Sequence, residues 1–251
     1  MIRALLSILI LFLVFGLFSQ VNQIDSIGRK QGLWTRNWEH SKKTEYEGRF
    51  VDDIPIGQFR YYYPDGQVRS IIEHVNSRAA FVTFYFENEE VMSEGFYKDR
   101  LRDSLWLNYD RSGLTLSAER FKKNKLNGKR VVFYLRNQLE RGELRILNET
   151  NFVDSLKQGD FACYFSSGAL QERGQYLNDL KNGKWQLYDS NGGIESERTY
   201  KNGKLHGWVK VFDNSGSLLD RTLFQNGVKL TPKQTKNFLE HSNRNGIDLN
   251  H

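Results

Sequence analysis

Hydrophobic and polar positions recur along this chain in a fixed phase with glycine. From Gly183 and Gly207 the same phase runs back through Gly159, Gly128, Ser104, Ala80, Gly57 and Gly32, at spacings close to 24 residues except one of 31. Two residues after these anchors stand Trp34, Phe59, Val82, Trp106, Arg130, Phe161, Trp185 and Val209, apolar in seven of eight cases. Five after them, beyond a degenerate first unit with Asn37, stand Tyr62, Tyr85, Tyr109, Phe133, Tyr164, Tyr188 and Phe212, all aromatic. Eight units therefore occupy residues 32–230, a period that signals a stacked repeat architecture.

Each unit divides into two strands. Nine residues after the anchor come Gly66, Gly113, Gly168, Gly192 and Gly216, mostly behind Asp, Ser or Asn, where a hairpin turn needs positive φ. Asn137 fills this place in the fifth unit and tolerates that conformation. In the third unit Glu89 does not suit it, which points to its neighbour Asn88. Beyond the turn, apolar residues alternate with polar ones, as in Val91, Ser93, Gly95 and Tyr97, a period of two that predicts a half-buried strand. Phrases such as KNGKLHG then reverse the chain into the next hairpin. The expected fold is all-β, a meander of hairpins in one antiparallel sheet. A seven-residue excess, assigned to the connection around residues 145–151, separates the fifth and sixth units; it contains an N-x-T sequon at Asn148.

The motif G-x-W-x-x-Y, then x-x-x-G-x-[LIV], then an aromatic and N-G-K, resembles the bacterial variant of the MORN repeat. That resemblance implies an elongated, twisted single sheet and a mostly non-catalytic role. Many bacterial members carry the label of an antitoxin in a toxin–antitoxin system.

The flanks add two elements. Residues 1–19 begin with one cation, Arg3, followed by an apolar run to Phe18, the composition of an export signal. Ser19 suits the cleavage site and Leu17 does not, so an uncleaved membrane anchor stays open beside a cleaved leader. This leader departs from a cytoplasmic antitoxin and is compatible with an exported immunity-type protein. Residues 20–31 form an N-terminal segment, and 231–251 a cap and tail: Thr231 as N-cap, Pro232 in the first turn, Gly246 as the stop, with Phe238 and Leu239 to cover the last sheet edge.

Composition narrows the function classes. The net charge of +6 is spread over many short turns and not gathered in a patch, which argues against nucleic acid as a partner. The single cysteine, Cys163, excludes an intramolecular disulfide and falls in the apolar column four after its anchor. The five histidines lie in different phases without metal-ligand spacing, and His206 reads as a turn residue. No phosphate loop or nucleophile elbow occurs, so no cofactor, metal or catalytic residue is assigned. A repeat distributes like groups along a line, and such a line binds extended partners. Strict alternation sets Tyr62, Tyr85, Tyr109, Tyr164 and Tyr188 on the face opposite the residues at two and four, as a file for a protein segment, a cell-wall glycan or an anionic lipid surface. The same rings have a structural reading, as spacers stacked between neighbouring hairpins.

Overall fold

The computed structural model describes residues 20–135 and 144–245; the leader, Asn137 and Gly246 lie outside them. Within those residues the chain forms one open antiparallel sheet of 19 strands and a single helix. From the strand Lys30–Asn37 to the strand Leu218–Gln225, each long strand pairs with the one before and the one after it in sequence. The expected meander of hairpins is the observed fold.

Two kinds of turn alternate. Within a unit, Gly66, at φ 105, closes a tight loop in which Gly66 N–H donates to the Tyr63 carbonyl and Tyr63 N–H to that of Gln67. Glu89 takes that conformation itself in the third unit, at φ 66, and Asn88 instead donates its side-chain amide to the Arg111 carbonyl. Between units, seven two-residue turns carry φ near 50 and then 64–87, among them Asp52–Asp53, Asn178–Asp179 and Asn202–Gly203. Two positive φ values define the type I′ hairpin, whose twist matches that of the strands it joins. These turns also bind their predecessors. Asp179 donates its N–H to the Lys157 carbonyl at 3.0 Å and accepts the Lys157 N–H at 2.7 Å, a reciprocal pair that Asp53 makes with Lys30.

The anchor glycines do not reverse the chain. Gly57, Gly183 and Gly207 lie inside strands, with positive φ beside a shift in register, so they are bulge residues. Ser104 adopts the same conformation, at φ 61, without glycine's freedom. Ala80 does not adopt it: it pairs regularly with His74, and the irregularity moves to the exposed Val75.

A sheet with no second layer must build its core on its own surface. Trp185 is 0% exposed because its indole lies across Gly174, under Lys181, and is ringed by Phe161, Tyr176 and Tyr200 at 5.5, 5.1 and 6.2 Å. Gly95 lies beneath Trp106 and Gly48 beneath Phe59 in the same way; a Cβ on any of the three glycines would overlap the ring. The indole N–H groups of Trp106 and Trp185 donate to the carbonyls of Phe96 and Gln175, each next to the glycine at a register shift. The ring is thereby fixed by packing and by one hydrogen bond.

Two further expectations are corrected. The seven extra residues do not sit at 145–151: Ile146–Val153 is a strand in register with Gly128–Phe133, and pairing of Val132 with Asn148 places the excess inside the fifth hairpin's own loop. Sequence cannot position this gap because the flanking columns read alike on either side. His206 is not in a turn but in the strand Lys204–Phe212, where its ring meets Phe238 edge-on at 6.1 Å. It thus ties the last repeat to helix α1 (Pro232–Arg244), which Thr231 and Gln234 start with a reciprocal capping box.

Trp185→Ala should cost about 3–5 kcal/mol in a urea melt, the range for deleting a buried aromatic, and Trp34→Ala, in the half-buried first unit, clearly less. Glu89→Gly and Ser104→Gly should each raise stability by about 1 kcal/mol by relieving left-handed strain; a loss at either position would show that its side chain matters more than its backbone.

Candidate functional site

The face opposite the buried rings is built from the residues between them. A continuous cross-strand row crosses it from Thr35 to Arg221, including the pairs Glu47–Arg60, Glu94–Leu107, Glu149–Ala162, Arg173–Gln186 and Glu197–Lys210. All five predicted tyrosines are half-buried beside this row.

What each tyrosine does depends on the row residue of the preceding strand. Where that residue is glutamate, the hydroxyl donates to it: Tyr62 to Glu47 at 2.6 Å, Tyr109 to Glu94 at 2.7 Å, Tyr164 to Glu149 at 3.4 Å. Before Tyr188 stands Arg173, whose guanidinium lies 5.6 Å from the ring centre, and the hydroxyl turns to Gln186 at 3.1 Å. Before Tyr85 the row residue is Ile71, and the Tyr85 hydroxyl makes no hydrogen bond among the described residues. Tyr62, Tyr109 and Tyr164 therefore fasten one hairpin to the previous one, and the glutamates are members of the face. A glutamate fifteen residues before the tyrosine in three units was the sequence signal for them.

Burial and the neighbouring carboxylate push the Tyr109 hydroxyl from 10.0 up to about 12. Burial also raises Tyr62 and Tyr164, with their glutamates adding to the shift. These hydroxyls stay protonated and act as donors throughout the neutral range.

Around Ala162 the row falls away into a polar depression of about 730 Å³. Its walls are Lys129, Glu149, Asp160, Arg173, Lys184 and Gln186. They are held before any partner arrives: Arg173 Nε donates to Gln186 Oε1 at 2.9 Å, Gln186 Nε2 to Glu197 at 2.7 Å, and Lys184 meets Glu197 at 2.6 Å. Burial pushes the Glu197 carboxyl up, but the hydrogen bonds from Lys184 and Gln186 outweigh it and leave the group below its ordinary value. Tyr164 and Tyr188 border the depression through Glu149 and Gln186, so these two of the five share a site; Tyr62, Tyr85 and Tyr109 lie on other units. Cys163 pairs with Asn148 and Glu172 on the opposite, ring-bearing face, and burial raises its thiol. Among the described residues, no group of three or more His, Cys, Asp or Glu is placed to hold a metal ion.

The sequence model of the MORN repeat variant matches residues 55–76 and 181–202. At these two places the chain carries MORN repeat variants. The first match runs from Pro55 in the strand Ile54–Tyr62 to Asn76 at the end of Val68–Asn76, and the second from Lys181 in Leu180–Tyr188 to Asn202 in the turn after Ile194–Lys201. One MORN repeat variant is thus one hairpin with its bulge glycine, Gly57 or Gly183, near the start. None of the curated proteins compared with the chain matches it. Among solved structures, a mutant of S. aureus TarM in complex with fondaparinux, α-GlcNAc-glycerol and UDP aligns at 9% identity and a TM-score of 0.25, over 50% of this chain and 19% of that one. A second structure of TarM aligns at 11% identity and a TM-score of 0.26, over 59% and 20%. The chain spans about a fifth of the length of these structures.

The raised Tyr109 hydroxyl fixes the sign of an alkaline effect. An unfolded tyrosine ionises near 10.0 and the folded one at about 12, so its contribution is complete below pH 10 and is lost as pH rises through 12. Melts between pH 9 and 12 should show wild type losing more stability than Tyr109→Phe; parallel curves would mean that Tyr109 is not shifted.

Proposed function

We propose that this protein is an exported, non-enzymatic repeat scaffold that holds an extended polar segment of a protein partner against its tyrosine face. The observation that carries this reading is the depression between Tyr164 and Tyr188, where cations, carboxylates and amides are already oriented along a row that crosses many hairpins. A partner strand or loop laid along that row meets a further set of contacts at each hairpin, and weak contacts in series add to useful affinity. Export rests on the leader composition of residues 1–19. An immunity-type role fits the same location and the same kind of contact. A cell-wall glycan would use the same tyrosines and is distinguished by retention on purified polysaccharide.

A second reading, as a membrane-surface binder, has its own observation. The residues flanking the inter-unit turns form sixteen positions on the tyrosine face, paired as Val51–Ile54, Lys98–Leu101, Lys122–Lys125, Leu177–Leu180 and equivalents. Nine of these are aliphatic, five are lysine and none is acidic, a composition that suits an anionic bilayer surface.

Export is checked by intact mass of protein from envelope fractions: the mature chain should begin near Gln20, and a full-length chain recovered from membranes would favour an anchor. For the partner, pull-down from envelope extract followed by titration should show Tyr164→Ser and Tyr188→Ser each weakening binding a few-fold, and the double variant cumulatively, with thermal melts run in parallel. If both variants melt earlier while their folded fraction binds normally, the tyrosines serve architecture alone. Adsorption to anionic vesicles that falls with salt and with Lys122→Glu plus Lys125→Glu would support the membrane reading.

A further inference from the structure

The ring-bearing face contains an interruption of its own. Ring contacts run without a break through Trp34, Phe50, Phe59 and His74, at 6.1, 5.1 and 5.1 Å, and resume with Tyr97, Trp106 and Phe121 at 5.1 and 6.5 Å. Between His74 and Tyr97 the register places only Ala80, which pairs with both. In the flanking units a ring from the position two after the anchor fills this place: Phe59 before His74, Trp106 after Tyr97. The third unit has Val82 there, paired with Ile72 where a ring would need glycine beneath it. One ring is missing between these two runs of ring contact, and the omitted volume opens as a depression of about 700 Å³.

The walls of this opening are not those of a mere packing fault. Val82 and Ala80, 2% and 8% exposed, form an apolar floor, and His74, Phe84 and Tyr97 present π surfaces to it. At the rim Arg78 is paired with Asp99, but Arg100 makes no ion pair among the described residues and points its charge to solvent from a left-handed turn position at φ 64. Burial lowers the pKa of His74, so its imidazole is neutral and serves as a ring and not a cation. We propose that this slot is a binding site for a single aromatic ring bearing an anionic arm, the ring seated between His74 and Tyr97 and the arm paired with Arg100. Edge-to-face contacts of the kind made on both sides of the gap would hold the ring, and the guanidinium selects an acid over a neutral or basic aryl compound. The site lies on the face opposite the tyrosines, and its occupation does not depend on the scaffold reading.

The test uses the full chain and three probes, phenylacetate, its uncharged amide and cyclohexylacetate, titrated by ligand-observed NMR. Phenylacetate should bind at millimolar concentration or below, with cyclohexylacetate weaker by about threefold or more because it has the charge and bulk without the π surface. Arg100→Gly, which suits the turn's backbone, should weaken phenylacetate by about threefold and leave the amide unchanged, with no loss in melting temperature. Ala80→Leu fills the slot and should abolish binding; if that variant does not fold, the probe series and Arg100→Gly decide alone. The proposal is overturned if phenylacetate does not bind, if cyclohexylacetate binds as well, or if Arg100→Gly leaves the acid's affinity unchanged.

Discussion

The best-shielded parts of this sheet depend on a ring from one strand lying over a glycine of the strand before it. Domains ordinarily bury the apolar face of a sheet under a second layer, and a lone hairpin is marginal in water. Here the apolar surface is covered by side chains rooted in the sheet itself, and a ring can lie directly on the neighbouring strand only where that strand has no Cβ. Gly48, Gly95 and Gly174 meet that condition, and Phe59, Trp106 and Trp185 become the most buried aromatic residues at 2%, 3% and 0% exposure. The bulges beside Gly95 and Gly174 have a second consequence, since each presents a backbone carbonyl to the indole N–H and thereby fixes the ring's orientation.

With one face committed to rings, the other can stay polar, and it is held by different means. Tyrosine hydroxyls reach back to glutamates of the previous hairpin, and the inter-unit turns donate backbone N–H groups to carbonyls beside the turns before them. Both kinds of tie link only neighbours, as expected of a quasi-one-dimensional array. A local departure therefore stays local. At Arg130 the ring is replaced by a guanidinium paired with Glu119 at 2.9 Å, and at Val82 by a smaller side chain, without interruption of the strand pairing on either side. Such places can diverge in chemistry while the sheet continues through them.

The phase of the repeat, the hairpin, the single sheet and the capping helix were legible in the sequence because each rests on local chemistry: glycine and asparagine where φ is positive, alternation with a period of two, and a Thr–Pro start to the helix. The column of tyrosines was equally visible. Their partners were not, because a hydroxyl of one hairpin and a carboxylate of another meet only through cross-strand register, and every bulge shifts that register. The same reason hid the true place of the seven extra residues, the position of His206 against Phe238, and the polar depression around Ala162. It also made the anchor glycines look like turn residues, since a positive φ inside a strand carries the same sequence mark as one in a loop. Which residues recur, and at what spacing, is a property of the chain by itself. Which of them face one another is decided by register summed across many strands, and only the assembled sheet contains that sum.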